Sequence, residues 1–114
     1  MRHEELYLRD IVEAAVAVDG FLAGVTQNEF LASDLIRSAV LHKLTIIGES
    51  AARISRDFAD RFPEIDWAAI SGFRNIAVHE YFAVDWRIVW VAAAKETPVL
   101  REQIEIILKE EFSR

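Results

Sequence analysis

The residues of this chain with the most chemical potential lie close together, between positions 74 and 81. Arg74 supplies a planar fork of donors that suits a phosphate group, and Asn75 adds an amide beside it. His79 can accept and donate protons near neutral pH, and Tyr81 adds a phenol. The residues around them are mostly apolar, and together the four side chains have the groups that hydrolysis or transfer at a phosphodiester would require.

The spacing of Arg74 and His79 limits how their side chains can meet. Five residues turn an ideal helix by roughly 500°, so the two side chains would point about 140° apart. Either the helix ends near Ala77 or Val78 and the chain bends, or the site combines residues from two subunits. His79 and Tyr81 share a side only if their short stretch is extended. We therefore place Arg74 in the last turns of a helix and His79 to Tyr81 at its exit.

A purely structural role is the alternative for the same residues. Arg74 could pair with Glu49 or Glu80, and His79 could stabilise the carboxyl end of the helix through its dipole. Tyr81 could be a core residue whose hydroxyl reaches water. Composition by itself favours this alternative over a catalytic site. The choice therefore depends on the sequence around the cluster.

The first third of the chain has the periodicity of helices, and no alternating strand pattern persists anywhere. We predict a first helix from about His3 to Ala23, ended by Gly20 or Gly24. Thr26-Gln27-Asn28-Glu29 has the form of a capping box and predicts a short second helix. The predicted apolar face of the first helix consists of Leu6, Tyr7, Ile11, Ala14, Val18 and Phe21.

A long third helix is predicted from Ser33 or Asp34 to about Ala59. Gly48 in its middle costs about 1 kcal/mol relative to Ala, which indicates that another backbone comes close there. Glu49 has two interpretations: an exposed acid that pairs with Arg53, or a buried acid that orients His79 or Arg74. The predicted core positions of this helix are Ile36, Val40, Leu44, Ile47, Ala51, Ile54 and Phe58.

Asp66 can cap a fourth helix from Trp67 to about Val78, which carries Arg74. Asp85 can cap the last helix, which Pro98 must kink or divide. The sequence therefore predicts an all-α protein, an up-and-down bundle of four to five helices, with residues 1–114 as a single domain.

The polar cluster also carries a resemblance. Arg74, Asn75, His79 and Tyr81 reproduce the R-x-x-x-x-H-x-Y pattern of HepT-like toxins, a branch of the HEPN superfamily. The flanking stretches Ile46-Ile47-Gly48-Glu49-Ser50-Ala51 and Phe62-Pro63-Glu64-Ile65-Asp66-Trp67 are similar to that family too, and the likeness covers nearly the whole chain. One departure is Glu80, where the family often has Gly.

The resemblance implies a metal-independent endoribonuclease that acts as the toxin of a toxin–antitoxin system and needs no cofactor. His79 would be the general base or acid, Arg74 would hold the phosphate, and Asn75 would steady the phosphate or the imidazole. In that family the site lies in the cleft of a homodimer, and such a site would also explain how the side chains of Arg74 and His79 can meet. Glu49 is a possible supporting residue.

The resemblance also implies a partner. HepT-like proteins are encoded beside a minimal nucleotidyltransferase antitoxin, which in one branch transfers AMP to the motif tyrosine, here Tyr81. The alternative function is a non-catalytic helical partner or regulatory subunit of that nucleotidyltransferase.

Composition sets further limits on partners. A hydrophobic content of 53% is high for 114 residues and indicates a helix–helix interface between subunits, while a net charge of −6 restricts RNA contact to a few arginines. The chain has no cysteine, and its three histidines have no partner one helical turn away, so we expect no metal site. Without an apolar run that spans a bilayer or a secretory signal, we expect a cytoplasmic protein.

Overall fold

The computed structural model describes residues 2–75 and 83–113, and these ranges are helical apart from short connections, without a strand. The helices are α1 (Arg2–Leu22), α2 (Gln27–Ala32), α3 (Asp34–Arg53), α4 (Arg56–Asp60), α5 (Trp67–Ser71), α6 (Trp86–Val91) and α7 (Thr97–Phe112). A 3-10 turn (Gly72–Asn75) continues α5, and a π-helical turn (Ala92–Glu96) joins α6 to α7. The predicted all-α fold is confirmed.

The three long helices form the bundle, and α1 packs against both α3 and α7. The backbone N–H of Ser55, beyond the end of α3, donates to Glu4 near the start of α1 at 3.4 Å. Arg101 in the first turns of α7 donates to Asp19 near the end of α1 at 2.9 Å. Because each contact joins the start of one helix to the end of the other, α1 is antiparallel to both neighbours, as an up-and-down bundle requires. None of the described helices combines the length and apolar content needed to cross a bilayer.

The buried face of α1 differs from the predicted one at its two ends. Leu6 and Phe21 are 57% and 37% exposed, so the prediction that they face the core is wrong. Leu6 lies five residues before Ile11, which turns it about 140° away from that residue on the helix. The residues of α1 that are buried follow three- and four-residue steps instead: Leu8, Ile11, Ala14, Ala15 and Val18.

The long third helix is interrupted, contrary to the prediction that it continues to Ala59. Helix α3 ends at Arg53, and Ile54 is extended, with ψ of 132°. The Ser55 hydroxyl then accepts a hydrogen bond from the Phe58 backbone N–H at 3.2 Å and begins α4. Ile54 and Phe58 are both buried as predicted. The apolar pattern therefore identified the core positions but not the break between them.

Helix α2 and the start of α3 pack against α6, the helix that follows the motif segment (residues 74–81). The capping box of Thr26 and Glu29 is present, as predicted, and brings Phe30 into the core. The Phe30 ring lies 6.3 Å from Trp86 and 5.4 Å from Trp90, centroid to centroid. The Arg37 guanidinium stands 5.3 Å above the Trp86 ring. The start of α6 is therefore fixed by aromatic packing on α2 and α3.

Pro98 divides the last helix, as its position predicts. A proline has no N–H, so an α-helix through it would leave a carbonyl group without its usual donor. The chain forms the π turn immediately before Pro98, and the buried Thr97 hydroxyl donates to the Ala92 carbonyl at 2.8 Å. The side chain thereby supplies a hydrogen bond inside the irregular turn.

Candidate active site

The helix that leads to the motif has a well-defined start. The Asp66 carboxylate accepts a hydrogen bond from the Ala69 N–H at 3.0 Å, which confirms the predicted cap. The Trp67 indole N–H donates to the Phe62 carbonyl at 3.1 Å, and its ring packs against the core. These contacts fix α5 to the loop before it, so the direction of the helix is set before Arg74 is reached.

The α-helical part of the predicted fourth helix is shorter than expected, and the last predicted residues, 76–78, lie outside the described residues. Helix α5 ends at Ser71, and the Gly72 N–H lies within hydrogen-bond distance of the carbonyls of Ala68, Ala69 and Ile70, as in a change from α to 3-10 winding. Phe73 in the following turn packs against the core, whereas Arg74 and Asn75 are exposed. Arg74 therefore lies in the last described turn of this helical stretch, where the sequence places it.

The turn that carries Arg74 rests on α3 at Gly48. Gly48 is buried, and a Cβ atom built on it would be 2.6 Å from the Arg74 backbone nitrogen and 3.0 Å from the Ile70 carbonyl oxygen. This close approach of another backbone is what the mid-helix glycine predicts. The sequence does not reveal that the approaching backbone belongs to the motif itself.

Glu49 is an exposed acid that pairs with Arg53, the first of its two predicted arrangements. Its carboxylate lies 4.0 Å from the Arg53 guanidinium, and its side chain is 52% exposed. The alternative of a buried acid is therefore wrong, because water reaches this carboxylate. Within residues 2–75 and 83–113, Arg74 has neither an ion pair nor a hydrogen bond from its side chain, so Glu49 does not neutralise it.

Three residues of the motif, His79, Glu80 and Tyr81, lie outside the described residues. The structure therefore brings together Arg74 and Asn75 on one exposed turn, and the relation of His79 and Tyr81 to them remains a prediction. In the described part of the chain, no group of three or more acidic or histidine side chains is arranged to hold a metal ion.

A groove of about 380 Å³ lies beside this turn. Phe73 and Ile70 form one wall, and residues around the start of α7, among them Lys95 and Gln103, form the other. Arg74 is not among the lining residues and stands on the exposed surface next to the groove. Since catalytic sites are concave, a cleft around Arg74 needs further residues, either from the motif segment or from a second subunit.

The comparison with known families agrees with the motif. A family model described as Ribonuclease HepT-like matches residues 11–107, a range that includes Arg74, Asn75, His79 and Tyr81. The chain belongs to the HepT-like family. The resemblance drawn from the motif is thereby confirmed, and the all-α bundle is consistent with it.

Three relatives of this HepT-like chain match it over almost their full lengths. "Putative RNase MJ1380" of Methanocaldococcus jannaschii is 36% identical over 93% of this chain and 97% of its own. "Probable ribonuclease HepT" of Thermococcus cleftensis is 33% identical over 95% and 98%. "Putative RNase TTE0752" of Caldanaerobacter subterraneus is 30% identical over 97% and 99%. No solved structure matches the chain significantly.

Proposed function

We propose that this HepT-like protein is an endoribonuclease that cleaves RNA without a metal ion. Family membership and relatives that carry ribonuclease names support an RNA substrate. The observation that carries the proposal is Arg74, exposed at the end of a turn and without an ion pair in the described part of the chain. A guanidinium exposed in this way is accessible to a phosphodiester, which its planar fork of donors can bind.

The proposed mechanism uses the motif alone. His79 removes the proton from a ribose 2′-hydroxyl, and the 2′-oxygen attacks the adjacent phosphorus. Arg74 stabilises the charge that builds on the phosphoryl oxygens, and Asn75 steadies the phosphate or the imidazole. The bond from phosphorus to the 5′-oxygen breaks, and that oxygen takes up a proton. The products are a 2′,3′-cyclic phosphate end and a free 5′-hydroxyl.

The biological role we propose is that of a cytoplasmic toxin held in check by a minimal nucleotidyltransferase. The antitoxin would transfer AMP to Tyr81, two residues beyond His79. An adenylyl group on Tyr81 would add negative charge and bulk to the motif, and both would oppose the binding of an RNA strand by Arg74. The family relationship supports this role.

The test is cleavage of a mixed RNA pool by the purified protein and its variants. We expect Arg74→Ala and His79→Ala each to lower the cleavage rate by about 10²- to 10⁴-fold, the range associated with a positioned acid or base and with charge stabilisation. Arg53→Ala is the matched control, because Arg53 is an exposed arginine engaged with Glu49. Activity should persist in a chelator, since no step uses a metal ion. Undiminished cleavage by His79→Ala would show that His79 is neither acid nor base.

The second candidate function is a non-catalytic partner of the nucleotidyltransferase. The net charge of −6 favours this function, because an acidic chain binds RNA weakly. Assays with and without the nucleotidyltransferase and ATP separate the two functions. A chain that binds the enzyme and never cleaves RNA would be a regulatory subunit. RNA cleavage that the partner and ATP suppress would establish the toxin.

A further inference from the structure

Gly48 makes a contact with the motif that the ribonuclease mechanism does not use. It is buried in the middle of α3, where a methyl group would meet the Arg74 nitrogen, the Ile70 carbonyl and Phe73 Cβ at 2.6, 3.0 and 3.1 Å. We propose that Gly48 is a positioning residue: its missing side chain sets how closely the Arg74 turn sits on α3, and therefore where the guanidinium stands. The catalytic part of this inference rests on the proposed function.

The atoms that face Gly48 explain why the contact would control position. Two of the three belong to the backbone, so no change of side-chain rotamer can relieve the contact. To reach an ordinary separation of 3.4 Å, the Arg74 nitrogen would have to move by 0.8 Å, the difference from 2.6 Å. Ile70, Phe73 and Arg74 belong to one continuous stretch, so this movement would displace the whole turn.

The size of the displacement predicts the size of the effect. A catalytic group misplaced by about 1 Å can lose about 10² in rate, because the reacting geometry is held within fractions of an ångström. We therefore expect Gly48→Ala to lower kcat/KM for RNA cleavage by about 10- to 100-fold while the helical content is kept. Gly20→Ala is the matched control, since Gly20 is an exposed helical glycine of α1 whose added Cβ would meet nothing within 4 Å.

The first measurement requires no RNA. Amide NMR spectra of the parent, Gly48→Ala and Gly20→Ala proteins report the surroundings of each backbone N–H. We expect Gly48→Ala to shift the Arg74 and Asn75 amides and to leave the α1 amides in place, whereas Gly20→Ala should do the reverse. Unshifted Arg74 and Asn75 amides in a folded Gly48→Ala protein would overturn the positioning role.

The second measurement is a double-mutant cycle with Arg74→Ala. If Gly48 acts through Arg74, then Gly48→Ala lowers activity strongly in the parent and by less than about twofold in the Arg74→Ala background. Affinity for a 2′-deoxy analogue, which cannot form the cyclic phosphate, gives the same comparison where cleavage is too slow to follow. Equal losses in both backgrounds would show a general structural effect and overturn the proposal.

The remaining outcomes separate this inference from the proposed function. A parent that neither cleaves nor binds RNA contradicts the ribonuclease function, and the NMR comparison then decides alone whether Gly48 seats the turn. If Gly48→Ala does not fold, the comparison is made in the Gly20→Ala background, where the added helix propensity offsets part of the loss. If the protein also fails to fold in that background, Gly48 is required for the packing of the whole bundle and not specifically for the position of the Arg74 turn. This result would overturn the positioning role.

Discussion

At the scale of single residues, the directions of Gly48 and Glu49 decide the environment of Arg74. Consecutive residues of a helix point about 100° apart, so when Gly48 faces the Arg74 turn, Glu49 points to one side of it. Glu49 accordingly pairs with Arg53, one turn further along α3. The packing of the Arg74 turn on α3 therefore leaves the Glu49 carboxylate paired with Arg53 and not with Arg74. An arginine that binds a phosphate must not be neutralised by such a carboxylate.

Tyr81 is the residue at which modification can be tested. Tyr81→Phe removes the acceptor oxygen and keeps the ring, so we expect the variant to cleave RNA like the parent and to escape inhibition that depends on AMP transfer. The measurement is intact-protein mass after incubation with the nucleotidyltransferase and ATP. The control is Tyr7→Phe, which changes the only other tyrosine of the chain and should still gain adenylyl mass. A parent that is silenced without any gain in mass would indicate inhibition by binding.

At the scale of elements, the π turn between α6 and α7 depends on a buried side-chain hydrogen bond. Thr97 is 2% exposed, and its hydroxyl donates to the Ala92 carbonyl. Thr97→Val keeps the shape and removes the donor, so we expect a loss of about 1 kcal/mol in the free energy of unfolding. Denaturant unfolding followed by circular dichroism measures it.

Thr45→Val is the control for Thr97→Val. The Thr45 hydroxyl makes a similar bond to the Leu41 carbonyl at 2.9 Å, but within regular helix α3 and with only partial burial. We therefore expect a smaller change than at position 97. A Thr97→Val protein as stable as the parent would show that the hydroxyl adds nothing to the packing and to the backbone hydrogen bond from the Thr97 N–H to the same carbonyl.

Local signals predicted where several helices begin, because an amino-terminal cap depends on residues close in sequence. Ser33, Asp66 and Asp85 each accept a hydrogen bond from the first turn of the helix that they begin. The break at Ser55 escaped prediction because the apolar spacing continues from Ile54 to Phe58 across it. The useful signal was Ser55 itself, a helix-capping residue type.

The parts of the site that the sequence did not predict depend on contacts between distant segments. Gly48 indicates that some backbone comes close, but only the packing of α5 on α3 identifies it as that of Arg74. The 3-10 winding from Gly72 has the same origin, since it lets Phe73 reach the core while Arg74 stays exposed. Residue types therefore predicted the chemistry of the motif, and tertiary packing determines its placement.

At the scale of the whole molecule, exposed apolar side chains and the exposed position of Arg74 favour association of two copies. Ile88 and Val91 lie three residues apart on one side of α6, directly after the motif segment, and are 67% and 44% exposed. An apolar pair in water at this place gains from burial against a partner. A second subunit that also reached the Arg74 turn would add concave surface around the exposed guanidinium.

We therefore expect a homodimer whose interface includes the motif helix and α6. Light scattering at micromolar concentration should give the mass of two chains, and Ile88→Glu should shift the equilibrium towards the monomer because it would bury a charge at the interface. Leu6→Glu is the control, as Leu6 is a similarly exposed leucine, 57%, on α1. A parent protein that is monomeric at all concentrations would contradict this prediction.

The π turn has a consequence for changes in chain length. Its hydrogen bonds enclose one residue more than those of an α-helix, so α6 and α7 are related by a straight helix with a single residue inserted between them. That extra residue rotates α7 by about 100° and sets which of its side chains face α1. Both ends are fixed, by Trp86 against Phe30 and by the buried Ile104. The spacing between them is therefore set by geometry: removing one residue from Ala92–Glu96 would turn Ile104 out of the core, even though the shortened chain could still form a helix throughout.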